Sequence, residues 1–184
     1  TEIAIPTLKT LSLKQYQKLK GVYSSLIHAD GKVDLFEWLI FQLLKQYCDR
    51  YFGLLPPLAP KYKHLKQVAN LYEVVLSRIV HYGSEHLSAE ASIVQKKLAF
   101  ERACEASGCQ SIKLLSTNEC GGVKFTRSVH ELSLAYPLIK PRLIKGLIHA
   151  AQSDRYVNES ERYVITGIAA VMDCPLIGLD EALI

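Results

Sequence analysis

The sequence predicts an all-α bundle of about seven helices in which one helix pair occurs twice. Three observations predict it: apolar residues recur at helical spacing through most of the 184 residues, strand-like alternation is nearly absent, and the chain matches itself at a constant offset of 124 residues. That offset needs no gap. It sets Leu19 against Leu143, Asp30 against Asp154, Val33 against Val157, Asp34 against Asn158 and Glu37 against Glu161. It also lays Ile40, Phe41, Leu44 and Tyr47 over Val164, Ile165, Ile168 and Val171. The word Leu-Ile-His-Ala, at 26–29 and again at 147–150, falls nearly one helical turn out of this register and so stays on about the same helix face.

Local signals place each element. Ser12 and Gln15 form a capping box, and Tyr16, Leu19, Tyr23, Leu26 and Ile27 recur at helical spacing up to Asp30-Gly31. Asp34 and Glu37 form a second box, and the helix that follows to about Phe52 is apolar around most of its circumference, which predicts a place in the middle of a bundle. Its aromatic residues, Phe36, Trp38, Phe41, Tyr47, Tyr51 and Phe52, read as core, with Trp38 the member expected to reach a surface. Gly53 and the run LLPPLAP end that helix, because proline lacks a backbone donor and disfavours helical geometry in the residue before it.

The stripe Leu65, Val68, Ala69, Tyr72, Val75, Leu76 and Ile79 predicts an amphipathic helix over 62–81. Ser88 caps a further helix reaching 107, where Gly108 terminates it, and 109–126 reads as a loop with at most one short turn. Ser128 and Glu131 are expected to open a short helix that breaks near Tyr136-Pro137. Pro141 lies in the first turn of the next, which runs to about 153. Asn158 and Glu161 cap a helix to 172, and a last turn or short helix follows Pro175.

Length and composition predict a single domain over 1–184, large enough to close a hydrophobic core without staples. Five cysteines, odd in number and without a C-x-x-C pair, read as reduced and mostly buried thiols. The net charge of +4 is spread along the chain and argues against a nucleic-acid footprint. No run approaches the roughly 18 consecutive apolar residues of a membrane span, and the N-terminal residues lack a secretory pattern. A start at Thr1, with the single Met at 172, predicts a piece of a longer protein.

The repeated corner carries the candidate binding residues: Asp30, Asp34 and Glu37 in the first copy, Asp154, Asn158 and Glu161 in the second. Asp34 and Asn158 offer an oxygen to the free amides of the first helical turn, Glu37 and Glu161 fold back on the cap backbone, and Val33 and Val157 plug the angle between helices. Three carboxylates near one turn are also a cation-binding chemistry, although an EF-hand needs a longer loop before helix resumes. No catalytic residue and no metal ligand is predicted. A zinc peptidase needs two histidines one helical turn apart with a glutamate between them, and His130-Glu131-Leu132-Ser133-Leu134 puts Leu where the second histidine must stand. His81 and His86 are five apart across Gly83 and cannot face one metal from a single helix. Phosphate loops and nucleophile elbows are absent.

The stretch HADGKVDLFEW, followed more than a hundred residues later by a second corner, resembles the TerB-like helical fold, in which two such helix pairs pack together. The longer pieces LSLKQYQKLKGVYSSLIHADGKVDLFEWLIFQLL and LAYPLIKPRLIKGLIHAAQSDRYVNESERYVITGIAAVMDCPLI resemble the cytosolic C-terminal region of bacterial HtpX-like membrane zinc metallopeptidases, with 54–126 weakly matched. The second corner departs from the pattern, with Arg155 where the family has Gly. The resemblance implies a non-catalytic regulatory or protein-interaction domain on the cytoplasmic side of the inner membrane, in contact with a protein partner or the parent's own peptidase domain. It implies no cofactor in this segment, the zinc belonging to the peptidase domain upstream. The alternative is a free-standing stress-response module of the tellurite-resistance type, binding a metal or small ligand at its acidic corners.

Overall fold

A computed structural model describes residues 4–27, 34–55, 59–84, 88–152, 159–174 and 176. Among them the regular elements are eight α-helices, α1 (Ala4–Leu8), α2 (Leu13–Ile27), α3 (Leu35–Leu44), α4 (Leu65–Gly83), α5 (Ala89–Ser107), α6 (Gly122–Leu132), α7 (Lys140–Ala151) and α8 (Glu159–Val171), with a π-turn (Lys45–Asp49) prolonging α3. No strand occurs among the described residues, where Tyr62 and Ala135 form an isolated parallel bridge. None of the described helices is long and apolar enough to cross a membrane. The chain gathers into two compact units, Thr1–Leu58 and Ala59–Ile184.

In the first unit α2 packs on α3, and α1 on the π-turn. The capping box at the start of α2 is formed: the Ser12 amide donates to Gln15 Oε1 at 2.9 Å and the Gln15 amide to Ser12 Oγ at 3.3 Å. Tyr16, Leu44 and Cys48 make the buried centre, with Leu8, Leu11, Phe41 and Phe52 packed around them. Tyr16 stacks on Phe52 with ring centroids 4.9 Å apart, and Tyr23 on Phe41 at 5.7 Å. Two details differ from the sequence reading. The helix from Asp34 passes through a π-turn before ending, and the widened turn carries the adjacent Cys48 and Asp49 both into the interior. The all-round burial expected of this helix is not found: Phe36, Tyr47 and Tyr51 are exposed, whereas Trp38, expected at a surface, is buried. Phe36 and Trp38 are two residues apart and so fall on opposite sides of α3, one side exposed and the other buried.

The second unit is organised on α4, which touches α5, α6 and α7, while α7 also packs on α5 and α8. The predicted stripe of α4 is its buried face: Val68, Tyr72, Val75, Leu76 and Ile79. A line of polar residues on the same helix, Glu73, Ser77 and His81, pins the segment after α5, through bonds to the Lys113 amide (2.8 Å), the Leu115 amide (3.0 Å) and the Leu115 carbonyl (2.8 Å). Gly108 ends α5 in the left-handed region at φ 77°, as its place in the sequence suggests, and its amide donates to the Cys104 carbonyl at 2.9 Å. Pro141 sits in the first turn of α7, where no intrahelical donor is lost.

One helix start is corrected. α6 begins at Gly122 instead of at a Ser128 cap, so Ser128 and Glu131 lie inside it, and Phe125, Ser128, Val129 and Leu132 form its buried face. Gly121-Gly122 reads as loop in sequence, yet Gly121 is extended and Gly122, at φ 54°, opens the first turn.

The order of the helices carries the internal repeat. α2 precedes and α3 follows the first corner, and α7 precedes and α8 follows the second, in the order that the sequence offset sets. Each pair is in contact, one pair in each unit. The connecting residues 28–33 and 153–158 lie outside the described residues, as does most of the segment after Pro175.

Candidate functional site

Three of the six corner residues, Asp30, Asp154 and Asn158, lie outside the described residues. Asp34 is the N-cap of α3. Its backbone is extended (φ −65°, ψ 145°), its Oδ1 accepts the Phe36 amide at 2.7 Å, and its carbonyl accepts the Trp38 amide at 3.0 Å. A carboxylate there satisfies one of the orphan donors and meets the positive end of the helix dipole, contributions worth about 1 kcal/mol together. Glu37 is exposed on the same turn, and its charge reaches Tyr23 across the pair: burial pushes the Tyr23 phenol up and the Glu37 carboxylate adds to the effect. Asp34 therefore has local structural work at the head of α3, and Glu37 contributes its charge.

Glu161 behaves differently from its sequence counterpart. It is the third residue of α8, is 5 % exposed, and its carboxylate rests against the backbone of Gly83 at the end of α4, so close that a Cβ added at Gly83 would collide with Oε1. Glu37 stands in solvent and Glu161 is enclosed, so the sequence repeat does not make two equivalent ligand sets. Among the described residues, no three His, Cys, Asp or Glu side chains are grouped to hold a metal ion.

The histidine-glutamate pair of α6 is accounted for by packing. His130 is exposed in the last turn, while Glu131 Oε2 accepts the Tyr62 hydroxyl at 2.5 Å and lies 3.5 Å from Lys61 Nζ. The Tyr62 hydroxyl first, and Lys61 second among the stabilising contacts, hold the Glu131 carboxyl below the usual range. Such a depressed group stabilises the fold at pH values above its unfolded pKa and stops doing so as the pH falls through its folded value. Glu131→Gln is therefore expected to lower the melting temperature near pH 7 and to converge on the parent chain as acid carries the pH below the usual carboxylate range and through the folded value. A gap that stays constant from pH 7 to pH 3 would show that the charge contributes nothing.

A polar centre that the sequence reading did not single out lies in the first unit. Tyr16 donates its hydroxyl to Asp49 Oδ1 at 2.6 Å, and Lys20 Nζ reaches the same oxygen at 2.8 Å. Tyr16 and Asp49 are buried, and the Lys20 head keeps partial access to water. Burial, then the hydrogen bond to Asp49, keeps the Tyr16 phenol protonated well beyond the ordinary range. The available signal was Asp49 near the end of a helix rich in apolar residues, together with Tyr16 and Lys20 one turn apart on another. Chemically the arrangement fixes a carboxylate between a proton donor and a cation.

All five cysteines are free thiols, four of them buried, as the sequence reading expects. Burial raises each thiol, Cys104 to about 11, and so none is poised as a thiolate nucleophile near neutral pH. The chain matches no protein-family model, no curated protein and no solved structure.

Proposed function

We propose that this chain is a non-catalytic contact domain, TerB-like in plan, that serves as the C-terminal regulatory or protein-interaction part of a membrane-bound zinc metallopeptidase of the HtpX-like kind. The observation that carries this reading is the repeated helix pair: one described helix precedes and another follows each of the two sequence corners that bear the resemblance. The uses found for the acidic groups support it further. Asp34 caps α3, Glu131 is bound by Tyr62, Asp49 by Tyr16 and Lys20, and Glu161 is enclosed at Gly83. Groups so engaged serve architecture, and an architecture without its own chemistry works by contact.

The test uses the purified chain loaded with zinc and then dialysed. The expected result is substoichiometric zinc and no cleavage of unfolded casein. Cleavage that a chelator abolishes would overturn the non-catalytic reading. The coding sequence upstream of Thr1 tests the parentage separately: a His-Glu-x-x-His motif flanked by apolar spans is expected there, and a reading frame that opens at Thr1 would leave the free-standing module in its place.

A further inference from the structure

In the second unit a tight turn joins α6 to α7. The Ile139 amide donates to the Tyr136 carbonyl at 2.9 Å and closes it, and Pro137 takes the second position, where its fixed φ suits such a turn. Leu138 takes the third position and is 88 % exposed, with Tyr136 and Pro137 exposed beside it. A single exposed leucine is ordinary. Three consecutive exposed apolar side chains at the tip of a turn, a place that polar residues fill equally well, call for a use.

Lysines stand around this tip because the segment before α4 is bonded to it. The Tyr136 amide donates to the Tyr62 carbonyl at 2.9 Å, and the Lys61 amide to the Leu134 carbonyl at 2.7 Å. Lys63 Nζ is 5.7 Å from the centre of the Tyr136 ring, and Lys61 Nζ is 4.9 Å from that of Tyr62. Both lysines are exposed, although Lys61 also has Glu131 at 3.5 Å. Residues 59–66 and 127–142 carry six Lys or Arg and one acid, Glu131, and the preceding 56–58 add no charge. With Glu131 set against Lys61, these stretches are still net positive.

A small-molecule site would be concave, and a partner helix would need a long apolar stripe. A projecting leucine flanked by tyrosine and lysine has the chemistry of a bilayer interface instead: the apolar tip enters the acyl boundary, tyrosine sits at headgroup level, and lysine stems lie along apolar surface while their heads reach phosphate. We propose that the Tyr136-Pro137-Leu138 turn seats the second unit on an anionic lipid surface, with Leu138 at the headgroup–acyl boundary and Lys61 and Lys63 on lipid phosphates. One leucine and a few charges fall short of a stable anchor, so the contact is reversible. It uses this unit's residues alone and does not depend on what precedes the chain.

The test floats the whole chain with vesicles of equal parts phosphatidylglycerol and phosphatidylcholine over a range of lipid concentrations. Saturable binding is expected, weakened by high salt and absent on phosphatidylcholine alone. Leu138→Ala is expected to weaken binding by about tenfold and Lys63→Ala by about fivefold, with melting temperatures unchanged because both side chains lie in solvent. Val123→Ala, at the other end of α6, and Lys97→Ala, on α5, are exposed controls expected to change nothing. No binding to the anionic vesicles, or equal weakening by all four variants, would overturn the inference. Binding that follows Lys63 but ignores Leu138 would overturn it as well, because charge attraction of the kind an acidic protein also exerts would then be the whole effect. The zinc and casein measurements judge the contact-domain reading separately.

Discussion

Gly146→Ala is expected to destabilise the protein by about 2 kcal/mol, read as a lower urea midpoint at unchanged slope. The added methyl would collide with the Tyr72 hydroxyl and sit 2.9 Å from both the Ala103 carbonyl and Ser107 Cβ. Neither of the last two can turn aside, since one is backbone and the other is held by its own bond to Ala103 at 2.7 Å. Alanine gains up to about 1 kcal/mol of helix propensity over glycine, which offsets part of the overpacking cost without reversing it. Gly21→Ala is the matched control. Gly21 is exposed inside α2 with nothing within 4 Å of an added Cβ, so the same substitution there is expected to stabilise by about 0.5–1 kcal/mol. Tyr72 is fully buried and donates to the Leu143 carbonyl at 3.1 Å, so Tyr72→Phe alone costs about 1 kcal/mol. Combined with Gly146→Ala it is expected to cost less than the sum, because the hydroxyl in the way has gone. A Gly146→Ala chain as stable as the parent would mean that α4, α5 and α7 do not meet as described.

The second large effect is expected at Asp49. Lys20→Met leaves its carboxylate buried with Tyr16 as its remaining partner in this centre, and the cost is about 3 kcal/mol, at the lower edge for a broken buried pair because Lys20 itself keeps some solvent. Tyr16→Phe, which removes one hydrogen bond and leaves the ion pair, is expected to cost about 1 kcal/mol. The double change Lys20→Met with Asp49→Leu removes both charges together and is expected to recover most of the loss, since an apolar replacement of a buried pair is often neutral. Urea midpoints for the parent, Lys20→Met, Asp49→Leu and the double change close the cycle and give the Lys20–Asp49 coupling directly. If Lys20→Met unfolds at the parent's midpoint, Asp49 is solvated and the centre has no structural role.

What the sequence determined by itself is the set of features fixed within three or four residues along the chain. Ser12 with Gln15, Asp34, Gly108 and Pro141 each mark a helix end through bonds or backbone geometry that close locally, and the observed ends follow them. The offset that relates the two corners is legible for the same reason, because the signals it aligns are local to each corner. Where the local signal was ambiguous the reading failed. A glycine pair opens α6 because a helix face with Phe125, Val129 and Leu132 had a core to join, and the Ser128–Glu131 pattern lost its meaning once both residues lay within the helix. Burial was decided by tertiary structure alone. Trp38 and Phe36 are near neighbours on one helix, yet one is enclosed and the other exposed, and the aligned Glu37 and Glu161 differ in the same way. Asp49 in the π-turn is distant in sequence from Tyr16 and Lys20 and meets them only through folding. A cap is satisfied by its own turn, whereas burial and pairing depend on which other helix arrives, and that is a property of the packed chain.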